Sequence, residues 1–229
     1  MSNPWKRKDV ISDELFFHVG NYDDALNLVK KYHYSKRMAS NVQMVGTWHK
    51  GGGLFGEHGE AIAAIVFSIP PTRWSEDVWE LSRLVRRDDA EISLSALMAK
   101  ALSFMKRARP IDLLVSFADA TQGHHGGIYQ ACSWNYSGKR ERCIDGVIFE
   151  GNFIPGRSAN SKWGTRSPGK LRRMGINAIP HYDEGKYLYW KALNRNGAKK
   201  ARRLGLSEMP YPKPFGHKFS APVQEGFDL

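Results

Sequence analysis

Three side chains with acid–base or metal-binding chemistry stand at the ends of predicted elements in this sequence. Asp119 ends an apolar run that starts at Ile111, and His33 and Tyr34 follow a predicted helix. An aspartate at the end of a buried strand can accept a proton or a hydrogen bond from an amine, or it can simply cap the next turn. Imidazole, phenolate and carboxylate together also suit iron, so the same three residues are candidate metal ligands, with a packed or capping His33 as the alternative.

Two apolar runs separated by an amphipathic segment predict how Asp119 is positioned. Residues 78–85 and 111–118 are typical of buried strands, and the segment between them has apolar residues at helical spacing. A helix between two buried strands predicts a right-handed crossover and a parallel strand pair. Ligands of such sheets bind beyond the carboxyl ends of the strands, and the helix that starts near Ser93 can hold a phosphate at its amino end.

The rest of the chain predicts further elements around this unit. Strands are predicted at 15–19, 42–49, 61–69, 146–150 and 186–190, helices at 21–32 and from 167 onward, and a loop at 152–164. The predicted fold class is α/β (α+β), a mixed twisted sheet with flanking helices. The predicted organisation is an N-terminal arm at 1–14, one catalytic domain at 15–193 and an extended, basic, proline-rich tail at 194–229.

The amino-acid composition limits the kinds of binding partner and the cellular compartment that are expected for this chain. Lysine and arginine number 34 against 23 acidic residues in 229, and the resulting charge of +11 favours a polyanionic partner. The two cysteines, Cys132 and Cys143, give neither a disulfide framework nor a zinc site, which favours a reducing cytoplasm. No apolar run reaches the length of a membrane span and the amino terminus is unlike a signal peptide, so no membrane partner is predicted.

Basic residues after Gly138 are predicted to contact double-stranded DNA. They are Lys139, Arg140, Arg142, Arg157, Lys162, Lys170, Arg172 and Arg173. Contacts of this kind neutralise phosphates, so they give salt-sensitive binding with little sequence reading. A merely solvated basic face is the alternative. Trp163 and Tyr136 are candidates for stacking on a displaced base.

Several short motifs resemble the phage Mom proteins, over roughly residues 15–193. They are Tyr32-His33-Tyr34-Ser35, Glu80-Leu81-Ser82-Arg83-Leu84, Ala118-Asp119-Ala120, Gly123-His124, Gly127-Ile128-Tyr129-Gln130-Ala131 and Trp134-Asn135-Tyr136-Ser137-Gly138. The resemblance implies a fold like that of the GCN5-related acetyltransferases (GNAT). It also implies a transferase in the cytoplasm of the host bacterium that adds a carbamoylmethyl (acetamido-type) group to the exocyclic amine of adenine in phage DNA. DNA modified in this way escapes host restriction endonucleases.

The resemblance carries roles to individual residues. It implies His33, Tyr34 and Asp119 as catalytic candidates, together with either Ser93 or Ser95. Tyr129 matches the tyrosine that protonates the leaving thiolate in many acetyltransferases, with core packing as the alternative.

Two polar residues of the motif Glu80-Leu81-Ser82-Arg83-Leu84 are further candidates, and strand geometry predicts where their side chains point. Arg83 is a candidate for contacting a phosphate of the cofactor or of DNA, and Glu80 can balance a neighbouring charge. Because they are three residues apart on one strand, they are expected on opposite faces unless a bulge intervenes.

The implied donor is acetyl-CoA or a related acyl-CoA, yet the loop that should hold its pyrophosphate departs from the acetyltransferase pattern. Residues 87–92 contain no glycine, and their three acidic side chains would repel a pyrophosphate. Two alternative functions therefore stay open: a non-catalytic DNA-binding protein on the same fold, and a plain acyl-CoA-dependent N-acyltransferase. The sequence also leaves the oligomeric state open, a dimer included.

Overall fold

The computed structural model describes residues 15–51, 59–70, 74 and 78–212. The predicted arm at 1–14 and the end of the predicted tail lie outside the described residues. The strands are β1 (Leu15–Val19), β2 (Val42–Lys50), β3 (Glu60–Ser68), β4 (Val78–Arg86), β5 (Leu113–Asp119), β6 (Asn135–Lys139), β7 (Ile144–Phe149), β8 (Asn152–Pro155), β9 (Ile179–Tyr182) and β10 (Lys186–Ala192). The helices are α1 (Tyr22–Tyr32), α2 (Leu94–Ala108), α3 (Gly127–Ala131), α4 (Gly156–Trp163), α5 (Pro168–Arg173) and α6 (Arg195–Arg203), with a 3₁₀ turn at Ala120–Gln122.

Seven of the strands form one mixed sheet in the order β1-β2-β3-β4-β5-β10-β6. Among its pairs only β4 and β5 run parallel, and α2 is the crossover between them. The predicted parallel pair and the predicted fold class, a mixed sheet with flanking helices, are therefore confirmed. Within the described residues, no helix is both long enough and apolar enough to span a membrane.

The helix α2 forms as its pattern predicts. Ser93 caps it by accepting a hydrogen bond from the Ala96 N–H at 3.1 Å. Its apolar residues recur on one helical face, which the sheet buries; they are Leu97, Met98, Ala101, Leu102 and Met105. The helix thus fixes the loop that joins β4 to its own first turn.

The parallel pair separates soon after it begins. Its register covers only Val78–Glu80 against Leu113–Val115. Beyond this point the Ser116 hydroxyl donates to the Leu81 carbonyl at 2.7 Å. The carboxyl halves of β4 and β5 therefore bound an open space in the middle of the sheet.

The sheet face opposite α2 is covered by two helices with a gap between them. The helix α1 packs on β2, β3 and β4 through Ala25, Leu28 and Val29, and α6 packs near β5 and β10 through Ala201. The prediction of extended chain from 194 is wrong for Arg195–Arg203, which form α6. The few apolar residues of α6 are small, so its basic sequence has no hydrophobic period that would predict a helix. Asn194 caps this helix.

A small layer inserted between β6 and β10 stands over this gap. Its three strands pair in the order β8-β7-β9, and α4 and α5 cover one face of them around Val147, Ala159 and Leu171. The prediction of a loop at 152–164 is wrong, because these residues form β8 and α4. The sequence of α4 is polar, and only the glycine and the alanine on one side of it are buried.

Candidate functional site

A bulge in β4 turns two charged side chains toward the same space. The partner of Val66 on β4 is Arg83 and the partner of Phe67 is Leu81, so Ser82 is the extra residue. A bulge shifts the alternation of side chains by one position, which places Glu80 and Arg83 on one face. Both line the cleft between the diverging strands, whereas an unbulged strand would have separated them.

The cleft has a volume of about 1590 Å³. It exceeds the roughly 300–1,000 Å³ of an ordinary small-molecule pocket, so it can hold two reactants together. The ends of β4 and β5 form its floor, and its walls are the residues that follow α1 and those that precede and begin α3. The inserted layer closes the remaining side through Asp145, Gly156, Arg157 and Arg166.

Three aromatic rings line one wall. His33 and Tyr34 have ring centroids 4.4 Å apart, and Tyr34 and His124 have centroids 5.5 Å apart. The His33 ring is fixed by Ser35, whose backbone N–H donates to His33 Nδ1 at 3.1 Å. Burial, with help from Arg83, lowers the pKa of His33 to about 4, so this imidazole is neutral at neutral pH.

Asp119 ends β5 beside this wall, where the sequence predicted it. Its carboxylate accepts a hydrogen bond from the Thr121 N–H at 3.0 Å, so it does cap the following turn. The second carboxylate oxygen is not engaged by that bond, and the side chain lines the cleft. Partial burial and the negative charge of Asp119 together raise the pKa of the Tyr34 phenol. Capping and a role in the cleft are thus compatible.

Glu80 is the residue whose importance the sequence did not reveal. Burial raises the pKa of its carboxyl to about 7, against the opposing attraction of Arg83, Lys186 and Arg157. A carboxyl with such a pKa can take up or release a proton at neutral pH. An isolated glutamate in an apolar run was the only signal, and the bulge that directs it into the cleft is not visible in the residue types.

Tyr129 meets the cleft from α3. Its hydroxyl lies 2.7 Å from Ser116 Oγ, which is itself 2.7 Å from the Leu81 carbonyl. Because Ser116 has one hydroxyl proton and gives it to the carbonyl, the Tyr129 hydroxyl must donate to Ser116 in this arrangement. Burial raises the pKa of Tyr129, so the phenol keeps its proton.

Gly126 positions α3 for a reason internal to the fold. Gly126 has φ +88°, and a Cβ there would lie 2.2 Å from the Tyr189 ring. The Tyr189 hydroxyl donates to the His125 carbonyl at 2.6 Å, so the ring holds this turn from beneath. The close neighbour that requires glycine at this position is therefore Tyr189.

The two candidate serines differ from their expected role. Ser93 caps α2, its hydroxyl lies 3.1 Å from that of Ser95, and neither side chain lines the cleft. Leu94 is the residue of this helix end that does. In the acidic loop, Arg87 pairs with both Glu60 and Asp89, whereas Asp88 faces the cleft. Part of the charge expected to repel a pyrophosphate is therefore neutralised within the protein.

The described part of the chain gives no support to the predicted iron site. His33 Nδ1 is engaged by Ser35, whose hydroxyl oxygen lies at 2.8 Å and whose backbone nitrogen lies at 3.1 Å, so only Nε2 is left for a metal. In the described part of the chain, no group of three or more His, Cys, Asp or Glu could hold a metal ion. His33, Tyr34 and Asp119 do come together at the cleft, but as an aromatic and acidic wall.

The predicted DNA-contacting residues separate into three groups. Arg140 and Arg157 line the cleft, and the Arg140 guanidinium lies 6.0 Å from the centroid of the Trp74 ring. Arg142 donates to the Asp183 carbonyl at 3.0 Å, so it ties two loops together. The others are exposed around the inserted layer and the end of β6; they are Lys139, Lys162, Lys170, Arg172 and Arg173.

The two candidates for base stacking are both engaged by the fold. Tyr136 is buried, and the Trp163 ring packs edge-on against Phe149 with centroids 5.4 Å apart. The prediction that Tyr136 stacks on a displaced base is therefore wrong, since the core encloses it.

The inserted layer is joined to the loop after α1 across the cleft. The Arg37 guanidinium donates to Ser158 Oγ at 3.3 Å, and Arg157 donates to Ser40 Oγ at 2.9 Å. The Arg83 Nε–H donates to the Arg37 carbonyl at 2.8 Å, which connects the same loop to β4. These exposed hydrogen bonds hold the aromatic wall at a fixed distance from α4.

Comparison with known proteins gives one family and several related structures. The model described as the Mom protein family matches residues 14–213. The chain is similar to a GNAT family acetyltransferase from Elizabethkingia anophelis, with 12% identity and a TM-score of 0.42 over 79% of this chain and 99% of that one. It is similar to the ribosomal-protein-S18-alanine N-acetyltransferase from Escherichia coli, with 10% identity and a TM-score of 0.45 over 79% and 94%. No curated protein sequence matches.

Proposed function

This chain belongs to the Mom protein family, and we propose that it is a transferase that modifies the exocyclic amine of adenine in DNA. The product is the carbamoylmethyl (acetamido-type) adenine that the family resemblance implies, and it protects phage DNA from host restriction endonucleases. One observation carries the proposal: Glu80, Asp119 and the ring cluster of His33, Tyr34 and His124 all meet in one cleft.

The chemistry of adenine explains why this combination is needed. The lone pair of the exocyclic amine is delocalised into the ring, so the amine must lose a proton as its nitrogen forms the new bond to carbon. An adenine in a duplex must also leave the base stack, at a cost of a few kcal/mol, and it is usually held against aromatic side chains. The cleft supplies two carboxyl groups for the first task and three aromatic rings for the second.

The two carboxyl groups suit different roles. Asp119 stands beside the aromatic wall, so it can accept a hydrogen bond from the amine of a base held there. Glu80 has a pKa of about 7, so it can take the amine proton as the nitrogen attacks and release it to water afterwards. Arg83, on the same face of β4, stabilises the charged form of Glu80.

The open part of β4 fits an acyl-CoA donor. The Arg87 N–H donates to the Ile62 carbonyl at 2.8 Å, so the backbone groups of Arg87 face β3. Because backbone groups alternate along an antiparallel strand, those of Leu84 and Arg86 face the opposite edge of β4, from which β5 has diverged. That edge can pair with the amides of an extended donor, and the amino end of α2 near Leu94 can face its phosphates. When bound, a donor whose acyl group carries an amino nitrogen would supply every atom of the added group. Attack by the amine and loss of the thiolate would form an N-acyl adenine, an isomer of the carbamoylmethyl product, so a second step that exchanges the amide and amine connections must follow.

Tyr129 suits the leaving-group side of this reaction. Its protonated phenol reaches the cleft between the two strands, and its proton is directed along the hydrogen bond to Ser116. The family resemblance assigns Tyr129 to the leaving thiolate, and for this the hydroxyl would have to turn from Ser116 toward the cleft. Because its pKa is raised above that of a thiol, the phenol would stabilise the thiolate by a hydrogen bond and keep its proton.

Mass spectrometry of nucleosides tests the proposal. Plasmid DNA would be isolated from cells that express the parent chain, the Asp119→Asn variant or, as a matched control, the Asp23→Asn variant of an exposed aspartate on α1. We expect an adenosine heavier by one acetamide group with the parent and the control, and a loss of at least roughly 10²-fold with Asp119→Asn. Asparagine can still cap the turn, so a folding defect is not expected.

Other outcomes would replace the proposal with a named alternative. A soluble parent protein that binds DNA and leaves every nucleoside unmodified would indicate a non-catalytic DNA-binding protein. Turnover of acetyl-CoA with small amines or proteins, and none with DNA, would indicate a plain N-acyltransferase. An acetamido-adenosine that survives Asp119→Asn would keep the function and remove Asp119 from it.

A further inference from the structure

The inserted layer has an apolar face that points to solvent. Ile148 on β7 pairs with Phe153 on β8 and with Ile179 on β9, so the three side chains lie in one row on the same side of the small sheet. Their neighbours Val147 and Ile154 point to the other side, where α4 and α5 cover them. Phe153 is 48% exposed and Ile179 is 63% exposed. We name this row of Ile148, Phe153 and Ile179 the apolar face.

The apolar face adjoins the cleft. The Phe153 ring packs on the His181 ring with centroids 4.7 Å apart, and His181 Nδ1 lies 2.7 Å from Asp145 Oδ1. Asp145 lines the cleft, as does Pro155, which is two residues beyond Phe153. Gly146 permits this arrangement, because a Cβ at that position would lie 2.4 Å from the Phe153 ring. The exposed aromatic ring therefore stands at the edge of the space that would receive a base.

The same layer carries a strong positive charge. Residues 156–173 contain six lysines and arginines and no acidic residue. Lys170, Arg172 and Arg173 on α5 are exposed. The helix α5 lies on the other side of the small sheet from Phe153, but Arg157 and Arg166 of the same segment line the cleft that the apolar face adjoins. Basic side chains at the cleft and an exposed aromatic ring at its edge fit a partner that offers both phosphates and flat apolar surfaces.

We propose that the apolar face contacts duplex DNA next to the extruded adenine and that Phe153 enters the base stack where that adenine has left it. This proposal rests on the proposed function, because it is extrusion that opens the stack. A base that leaves a duplex exposes the faces of its two neighbours, and apolar side chains inserted at such steps are a known means of holding unstacked DNA. Phe153 supplies the ring, and Arg157 and Arg166, which line the adjoining cleft, supply the phosphate contacts that orient it.

Binding to two matched duplexes tests this role without any chemistry. One labelled duplex is fully paired, and the other has the same sequence with a single abasic site, which is a ready-made gap in the stack. We expect the parent to bind the abasic duplex more tightly. Phe153→Ala should lose this preference, by roughly tenfold in Kd, and keep its salt-sensitive binding to the paired duplex. Met209→Ala, which removes another exposed apolar side chain away from the inserted layer, is the matched control.

A second variant keeps the test independent of any packing defect at Phe153. Ile179→Asp places a carboxylate on the apolar face at a position that is 63% exposed, so the fold should tolerate it. We expect it to weaken binding to both duplexes, because it adds charge repulsion toward phosphates.

Three results would overturn the proposal. The first is a parent protein without preference for the abasic duplex, and the second is a preference that Phe153→Ala retains. The third is a parent dimer that Phe153→Ala or Ile179→Asp dissociates in light scattering, which would make the apolar face a contact between two copies of this chain. A failure of the proposed function is a separate observation, since unmodified nucleosides can coexist with a clear preference for the abasic duplex.

Discussion

Glu80 faces the same cleft as Arg83, yet the pKa of Glu80 is raised to about 7 because burial outweighs the attraction of the guanidinium. A carboxyl accepts a proton only in its charged form, so we expect the modification rate of the parent to fall as the pH is lowered through about 7. Glu80→Gln should lose at least roughly 10²-fold above this pH and lose the pH dependence as well. Single-turnover rates on plasmid DNA over a series of pH values would measure both.

A matched control for this prediction is Glu91→Gln, which changes an exposed glutamate in the loop between β4 and α2. It should leave both the rate and the pH profile unchanged. A parent profile that stays flat across pH 7, or full activity in Glu80→Gln, would contradict the assignment of Glu80 as the proton acceptor.

The raised pKa of Glu80 also predicts how the free energy of unfolding depends on pH. In the unfolded chain the Glu80 carboxyl loses its proton near its ordinary pKa of 4.5, whereas the folded protein keeps the proton up to about 7. The folded state therefore binds more protons between these values, and its stability falls as the pH rises through them. Glu80→Gln lacks this loss, so it should be more stable than the parent by about 2 kcal/mol above neutral pH and by much less near pH 4.

Urea unfolding of the parent and Glu80→Gln at the two pH values would measure this difference. Glutamine keeps the shape of the side chain, so packing should change little. An equal difference in unfolding free energy at both pH values would show that the Glu80 carboxyl is not held protonated by the fold.

Hydrophobic spacing was enough to predict the parallel pair and its crossover helix. The runs at 78–85 and 111–118 correspond to β4 and β5, and Asp119 ends β5 as predicted. These elements are buried on a regular face, so their apolar residues recur at the period of a strand or a helix. The confirmed part of the candidate site, the position of Asp119 at the end of its strand, follows from the same regularity.

The remaining features depend on contacts between distant residues. The helices α4 and α6 bury only small residues such as Ala159 and Ala201, which leave no hydrophobic period in the sequence. The bulge at Ser82 comes from the pairing of β4 with β3, so the orientation of Glu80 could not be predicted from β4 alone. The apolar face around Phe153 likewise requires the register of three strands.

The hydrogen-bonded pair of Ser116 and Tyr129 gives a prediction that separates stability from activity. Ser116 is 1% exposed, and its hydroxyl serves both the Leu81 carbonyl and the Tyr129 hydroxyl. Ser116→Ala leaves two polar groups without this partner, so it should cost about 1–3 kcal/mol of unfolding free energy. Tyr129→Phe leaves the bond from Ser116 to Leu81 intact, so it should cost about 1 kcal/mol or less and still reduce the modification rate.

Thermal or urea unfolding, together with nucleoside mass spectrometry, would measure the two variants side by side. Equal stability losses in both, with unchanged modification by Tyr129→Phe, would assign Tyr129 to packing alone.

Gly126 should be the most sensitive glycine of the site. Alanine there meets two obstacles, a backbone φ of +88° and a Cβ only 2.2 Å from the Tyr189 ring. The ring is fully buried and its hydroxyl is bonded to the His125 carbonyl, so it cannot move aside without breaking that bond. We expect Gly126→Ala to cost more than about 3 kcal/mol of unfolding free energy and to displace α3 with Tyr129.

Two glycine variants serve as controls that separate the two causes of this cost in unfolding free energy. Gly175→Ala has φ +78° and no atom within 4 Å of the new Cβ, so it reports the backbone strain alone, about 1 kcal/mol. Gly127→Ala has an ordinary backbone and meets only the His125 ring at 3.2 Å, so its cost should be small. If Gly126→Ala cost no more than Gly175→Ala in urea unfolding, the Tyr189 ring would have room to move, and the turn before α3 would not be held by it.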